Sequence, residues 1–300
     1  MQAETTPGSA AQATSARAEG TLQDQSVASA AGAQDAYACL QAVQPRGWAR
    51  VQARLVDRIK RAALRRLHAS NAGEILLLRM YLIGEESTEQ ALQDDWMPAD
   101  APDWLSRQSA QHLAEERLHV LAFADAIAQR EGTAGHTAPS EGTAILAAAA
   151  QAAGEGNATA ASIKKNEPDW LSRRKIARWK RLGQRHAPHF SQGVLVPAYA
   201  IGLCAEQMGV RVLHRHCDTI GTDHPLHPLL ARVLDDETRH VRLCMHTLKR
   251  IVTPRELPRL QALLREIRGI ERGFGISGSI GMYIAGWLCA WRAPRPAPAA

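Results

Sequence analysis

The chain reads as all-α: a four-helix bundle with extra peripheral helices and a long insertion between two of its helices. Three observations predict this. Apolar residues recur three and four apart through most of residues 48 to 271, the period of a helix with one buried face. No β-branched run alternates with polar residues for the length of a strand. Two Glu-x-x-His motifs, Glu116/His119 and Glu237/His240, fall on two of the helices, and lone glutamates fall in apolar stripes on two others. That pattern calls for four helices packed around one polar centre.

Taken in order, residues 1–45 are rich in Ala, Ser and Gln and show no periodic apolar face, the composition of a disordered tail. The opening stretch carries acidic groups and lacks an uninterrupted apolar run, so neither a secretory leader nor a transit peptide is expected. A domain spanning 46–292 follows. Its helices are expected at about 48–66, 67–85, 104–130, 169–186, 195–218, 227–251 and 256–271, the first two allowing one continuous rod. Pro197 suits the first turn of its helix, and Pro225 and Pro228 suit the start of the next. "PDWLSR" occurs twice, each time before a helix, so Asp103 and Asp169 are expected as N-terminal caps. Residues 131–165 form a Gly/Ala-rich flexible insertion, and 293–300 form a Pro/Ala-rich tail.

Composition narrows the function classes. The net charge is +6 and the pI about 9.3, which favours an anionic surface. Only 5% of residues are aromatic, so a base-stacking nucleic-acid platform has no support. The five cysteines are odd in number and contain no CxxC pair, which argues against a disulfide framework or a zinc ribbon and for a reducing, cytoplasmic setting. No Gly-rich dinucleotide fingerprint is present.

Chemistry concentrates in six residues: Glu74, then Glu116 with His119, then Glu206, then Glu237 with His240. A single Glu-x-x-His pair is weak, since 12 histidines and 17 glutamates in 300 residues would give roughly 0.7 such pairs by chance. Their order is more specific. One Glu on each of two helices and Glu-x-x-His on each of two others is the donor set of a binuclear carboxylate metal site. Four carboxylates offset the charge of two dications, and two imidazoles complete the shell. Without metal, such carboxylates would be driven to protonate. The register has a competitor, because Glu115 and Asp236 stand four residues before His119 and His240 and can exchange roles with their neighbours. Taken singly, Glu74 or Glu206 is as well explained by an arginine partner such as Arg79 or Arg211. His112, one turn before Glu116, and Tyr81 and Tyr199, each seven residues from a candidate ligand, are candidates for the surrounding shell. His224 and His227 are expected in a solvated loop, and His214 lies too far along its helix to join the site.

These residues resemble the demethoxyubiquinone hydroxylases, a ferritin-like family of di-iron monooxygenases in ubiquinone biosynthesis. "NAGEILLLRMY" is similar to that family's first-helix motif, with Arg79 and Tyr81 at the family's spacing. "CAEQ" around Glu206 and "DDETRH" before His240 resemble its later motifs. Asn71 stands where the family has His, and Val212 where it commonly has another. The resemblance implies a ferritin-like bundle and Glu74, Glu116, His119, Glu206, Glu237 and His240 as ligands of two iron ions, with manganese the alternative. It also implies NADH as reductant, a membrane-embedded quinone as substrate, other ubiquinone-biosynthesis proteins as partners, and a cytoplasmic enzyme held peripherally on the inner membrane.

Two segments fit that last implication. Residues 170–185 combine Trp170, Ile176, Trp179 and Leu182 with seven Lys or Arg and no acid, an interfacial composition that makes Trp170 and Trp179 candidate membrane contacts. Residues 273–291 carry no charge, yet their five glycines and two serines favour a packed or shallow helix over a span. The expected activity is ring hydroxylation of a demethoxyquinone. The competing readings are another di-metal oxidase or ferroxidase on the same site, and a metal-free, lipid-binding helical protein.

Overall fold

A computed structural model describes residues 37–93, 101–132 and 170–292. Among the described residues there are seven α-helices and no strand: α1 (Gly47–Leu67), α2 (Asn71–Gln93), α3 (Asp103–Glu131), α4 (Trp170–His186), α5 (Leu195–Ile220), α6 (His227–Ile251) and α7 (Leu257–Arg292). The all-α expectation holds. Asp169, the 293–300 tail and nearly all of the 131–165 insertion lie outside the described residues, as does most of the 1–45 tail.

Five features refine the expected boundaries. The end of the expected tail is anchored: Leu40 is fully buried, the Tyr37 hydroxyl donates to the Val252 carbonyl at 2.8 Å, and Gln207 donates to the Leu40 carbonyl at 2.8 Å. α1 and α2 are separate, because the chain turns through His68–Ser70. Gly73 then passes so near the Leu67 carbonyl that a Cβ would stand 2.1 Å from its oxygen, an approach that only glycine permits. α2 runs on past residue 85 to Gln93, and α7 continues through the glycine-rich 273–291 stretch to Arg292. Asp103 is the first residue of α3 rather than its cap; Pro102 precedes it, and no side chain caps that end.

α2 and α3 pack antiparallel. Asn71 reaches the Arg130 carbonyl at 2.8 Å, while farther along Arg117 reaches Glu89 at 3.3 Å. α5 and α6 form a second antiparallel pair through a short link, with Gly202 beside Cys244 and Gly209 beside Glu237. α1 and α7 run parallel: Arg268 donates to the carbonyls of Cys39 and Gln41 at 2.9 Å each, and Arg66 lies over the Tyr283 ring. A capping box at Thr253 and Glu256 fixes the turn into α7, and the Ser191 amide also donates to Glu256 at 2.6 Å.

Packing divides the four inner helices into layers. One apolar cluster joins Leu105 of α3, Leu195, Val196 and Leu203 of α5, Leu248 of α6 and Leu260, Leu263 and Leu264 of α7. A second joins Leu78 and Leu82 of α2, Phe123 and Ile127 of α3, Leu213 of α5 and Leu230 and Val233 of α6. Each fully buried leucine contributes on the order of 1.5–3 kcal/mol. Between the clusters every inner helix presents a carboxylate or an imidazole, and that polar layer needs its own explanation.

Candidate metal centre

The polar layer holds Glu85 from α2, His112, Glu116 and His119 from α3, Glu206 from α5, and Glu237 and His240 from α6; all seven are buried. Their donor atoms form two groups. In one, atoms of Glu85, Glu116, His119 and Glu237 lie within 4.8 Å of one another; in the other, atoms of His112, Glu116, Glu206 and His240 do so. Glu116 belongs to both. A shared carboxylate between two groups of nitrogen and oxygen donors is the arrangement of a bridged pair of ions.

The contacts within the layer are those of converging lone pairs. His119 Nδ1 stands 3.5 Å from Glu85 and 3.7 Å from Glu237. His240 Nδ1 stands 3.1 Å from Glu116, 3.9 Å from Glu206 and 3.8 Å from Glu237. Even so, His119 Nδ1, His240 Nδ1 and Glu116 Oε2 have no hydrogen-bond partner; the 3.1 Å contact at His240 is close in distance but not aligned for a bond. Buried polar atoms left so are costly, and a metal ion would satisfy all three.

The outer ring nitrogens are held from across the bundle. His119 Nε2 of α3 is 3.1 Å from Asp236 of α6, and His240 Nε2 of α6 is 2.8 Å from Glu115 of α3. Arg239 bridges those two carboxylates, at 3.4 Å from Glu115 and 2.5 Å from Asp236. Glu115 and Asp236 therefore orient the imidazoles from outside, while Glu116 and Glu237 stand within the donor groups. A carboxylate behind each histidine fixes its tautomer and raises its basicity toward a metal.

Electrostatics in the absence of an ion show the same crowding. Burial, then the carboxylates around it, push the Glu85 carboxyl up to about 8. Burial and Glu206 drive Glu237 well above the usual range. For Glu116, burial pushes upward, but the hydrogen bond to His112 and the close approach of the His240 imidazole outweigh it and hold the group low. His112 and His119 each rise to about 9, since their carboxylate neighbours overcome the burial that would lower them. Crowded, buried carboxylates of this kind favour protonation unless a cation joins them.

Of the six residues singled out in the sequence, five meet here and Glu74 does not. It lies on the same face of α2 as Glu85 but eleven residues earlier, about 16 Å along the axis, beyond the second apolar cluster. There Arg130 Nε donates to its Oε2 at 2.6 Å, while His68 and His224 each stand 3.0 Å from its Oε1. Glu85 takes the place expected for Glu74. His224, expected in solvent, is part of this second cluster, whereas His214 is exposed and paired with Asp218 at 3.2 Å.

The remaining candidates separate. His112 belongs to the donor group itself, 3.1 Å from Glu116 and 3.4 Å from Glu206. Tyr81 stacks on Phe123 and meets His216 Nδ1 at 2.8 Å, away from the donor atoms. Tyr199 is buried in the first apolar cluster. Arg79 is exposed and paired with Glu131 at 2.6 Å. Arg211 approaches Glu271 at 3.9 Å. Trp179 is turned inward: it is half-buried, its indole nitrogen is shut off from solvent, and Lys175 lies 4.1 Å over its ring. The side chain of Trp170 lies outside the described residues.

No protein family, curated protein or solved structure matches this chain.

Proposed function

We propose that the protein is an oxygen-dependent oxidoreductase with a binuclear, carboxylate-bridged metal centre in a ferritin-like bundle. Its ligands are Glu85, Glu116, His119, Glu206, Glu237 and His240, and its metals are two iron ions, with manganese the alternative. The observation that carries the reading is the sharing of Glu116 by two donor groups, with three lone-pair-bearing atoms buried there without partners.

Iron bound here would supply the electrons that activate dioxygen for insertion of one atom into an organic ring, the other leaving as water. The chain's own contribution is separable. Glu85, Glu116, Glu206 and Glu237 supply the negative charge that two dications need. Asp236 and Glu115 hold the outer protons of His119 and His240, so that Nδ1 of each ring points inward. Two apolar clusters bound the layer, one on each side.

We propose a lipid-soluble demethoxyquinone as the ring that is hydroxylated, with NADH as the source of electrons and the membrane surface as the place of work. The resemblance of the motifs around Glu206 and His240 supports the substrate class. Support for membrane work comes from α7, where Ile280, Ile284, Trp287, Leu288 and Trp291 are exposed on one helical stripe. That end of α7 is apolar enough to span a bilayer by composition, with 11% of the relevant window buried. The stripe is the better candidate contact than Trp179, and it suits a helix lying in an interface.

A second reading, ferroxidase or other metal handling, is favoured by the clefts at the site. One of about 460 Å³ is lined by Glu115, Asp235, Asp236, Arg232 and Arg239, and one of about 130 Å³ reaches His112 and His240. Charged walls admit cations more readily than a quinone ring. Oxygen uptake by the iron-loaded protein separates the two. Uptake stoichiometric with a demethoxyquinone and reductant, yielding a hydroxylated ring, supports the first; uptake driven only by added ferrous ion transfers the assignment to the second.

A further inference from the structure

We propose that His68, Glu74 and His224 form a separate, mononuclear site for a divalent transition ion of the zinc type, at the end of the bundle beyond the second apolar cluster. Its residues come from three segments: the α1–α2 turn, the first turn of α2 and the α5–α6 link. His68 Nδ1 and His224 Nε2 each stand 3.0 Å from Glu74 Oε1, and the three donor atoms lie within 4.8 Å of one another. Two ligands of an ion bound at about 2.0–2.1 Å are themselves roughly 3 Å apart, so one ion fits among them after small side-chain shifts. Two imidazoles and one carboxylate are a donor set that zinc uses where one coordination position stays open.

The surroundings are ordered as a ligand shell requires. Arg130 holds Glu74 Oε2 at 2.6 Å, which fixes the carboxylate and leaves Oε1 for the ion. The far nitrogen of His68 is 2.5 Å from His216 Nε2, and His216 Nδ1 is 2.8 Å from the Tyr81 hydroxyl. With His68 Nδ1 given to the ion, Nε2–H donates to His216, and His216 Nδ1–H donates to the Tyr81 oxygen, so every polar atom of that chain keeps a partner. One contact opposes binding: the Leu226 amide donates to His224 Nδ1 at 3.2 Å, and it must be released when Nδ1 takes the ring proton. The site can be reached, since the His68, Glu74 and His224 side chains are 9%, 15% and 22% exposed. This arrangement also accounts for a carboxylate in the apolar stripe of α2.

The test uses the full-length protein and cobalt(II), whose visible absorption reports low-coordinate nitrogen and oxygen ligation. None of the three ligands belongs to the binuclear centre, so a Glu116→Ala background removes that centre and leaves this one. In that background one equivalent of cobalt is expected to bind, to be displaced by zinc, and to bind at least tenfold more weakly after His224→Ala. His214→Ala is the control and is expected to change nothing. If Glu116→Ala does not fold, the same comparison is read as total zinc in wild type against His224→Ala, which is expected to fall by one equivalent. Absence of cobalt and zinc from the Glu116→Ala protein, or binding that His224→Ala leaves unchanged, overturns the proposal and makes the cluster an ion-pair network only. Failure of the binuclear reading would leave this titration unaffected.

Discussion

Glu74 and Glu85 lie on one face of one helix, three turns apart, and are driven in opposite directions. Glu74 has Arg130 and His68 against its oxygens, and these hold its carboxyl below the usual range although burial pushes it upward. Among the described residues no arginine pairs with Glu85; burial, with Glu116 beside it, lifts its carboxyl to about 8. A buried carboxylate with a protein cation is complete, whereas one among other carboxylates still lacks its positive charge. Under the proposed function, that difference singles out Glu85 as the glutamate with a place for a metal.

The sharpest way to break the comparison is to remove each carboxylate in turn. Glu85→Ala is expected to abolish loading of the binuclear centre, and Glu74→Ala to leave a coupled pair of metals in place, as read by metal content and spin coupling. Equal losses would erase the distinction. Next in size, Asp236→Asn or Glu115→Gln frees an imidazole behind the centre and is expected to weaken metal affinity about 10–100-fold with the fold unchanged by circular dichroism.

Stability separates the two sites by sign of pH dependence. In metal-free protein Glu85 is raised from 4.5 to about 8. Its contribution is therefore full below about pH 4.5 and lost as pH rises through about 8. His112 and His119, raised to about 9, act in the same direction. Glu74 is lowered, so its contribution is present above its unfolded pKa and lost on acidification. The Tm of metal-free protein is expected to fall between about pH 5 and pH 9, and Glu85→Gln to flatten that fall. At the other site, Arg130→Met should cost about 1–3 kcal/mol in urea unfolding, less than a fully buried pair because both side chains are partly exposed. The smallest effect is expected from Gly209→Ala, whose Cβ would stand 3.0 Å from Glu237 Oε2: a loss of metal affinity of less than about tenfold, with helicity kept or raised.

Much of this was legible in the sequence. The helix periods gave the all-α class, and the two Glu-x-x-His pairs with Glu206 gave five of the residues that meet in the polar layer. Glu74 was misplaced because eleven residues is just over three turns, so Glu74 and Glu85 share a face and periodicity cannot choose between them. A spacing signal could have chosen: 31 residues separate Glu85 from Glu116, and again Glu206 from Glu237. The crossed pairs His119 with Asp236 and His240 with Glu115 repeat that symmetry. His224 could not be read, because its partners come from helices far away in the chain. The half-burial of Trp179 under Lys175 could not be read, because a tryptophan among basic residues has the same composition whether it faces a membrane or packs under its own lysine.

The most direct test is electron paramagnetic resonance of the full-length protein loaded anaerobically with manganese(II), measured for wild type and Glu116→Ala. The multiline signal of an exchange-coupled pair in wild type, absent from Glu116→Ala, is the predicted result, since Glu116 is the carboxylate common to both donor groups. Signals from isolated ions alone, or a coupled signal that survives Glu116→Ala, would contradict a binuclear centre in this layer.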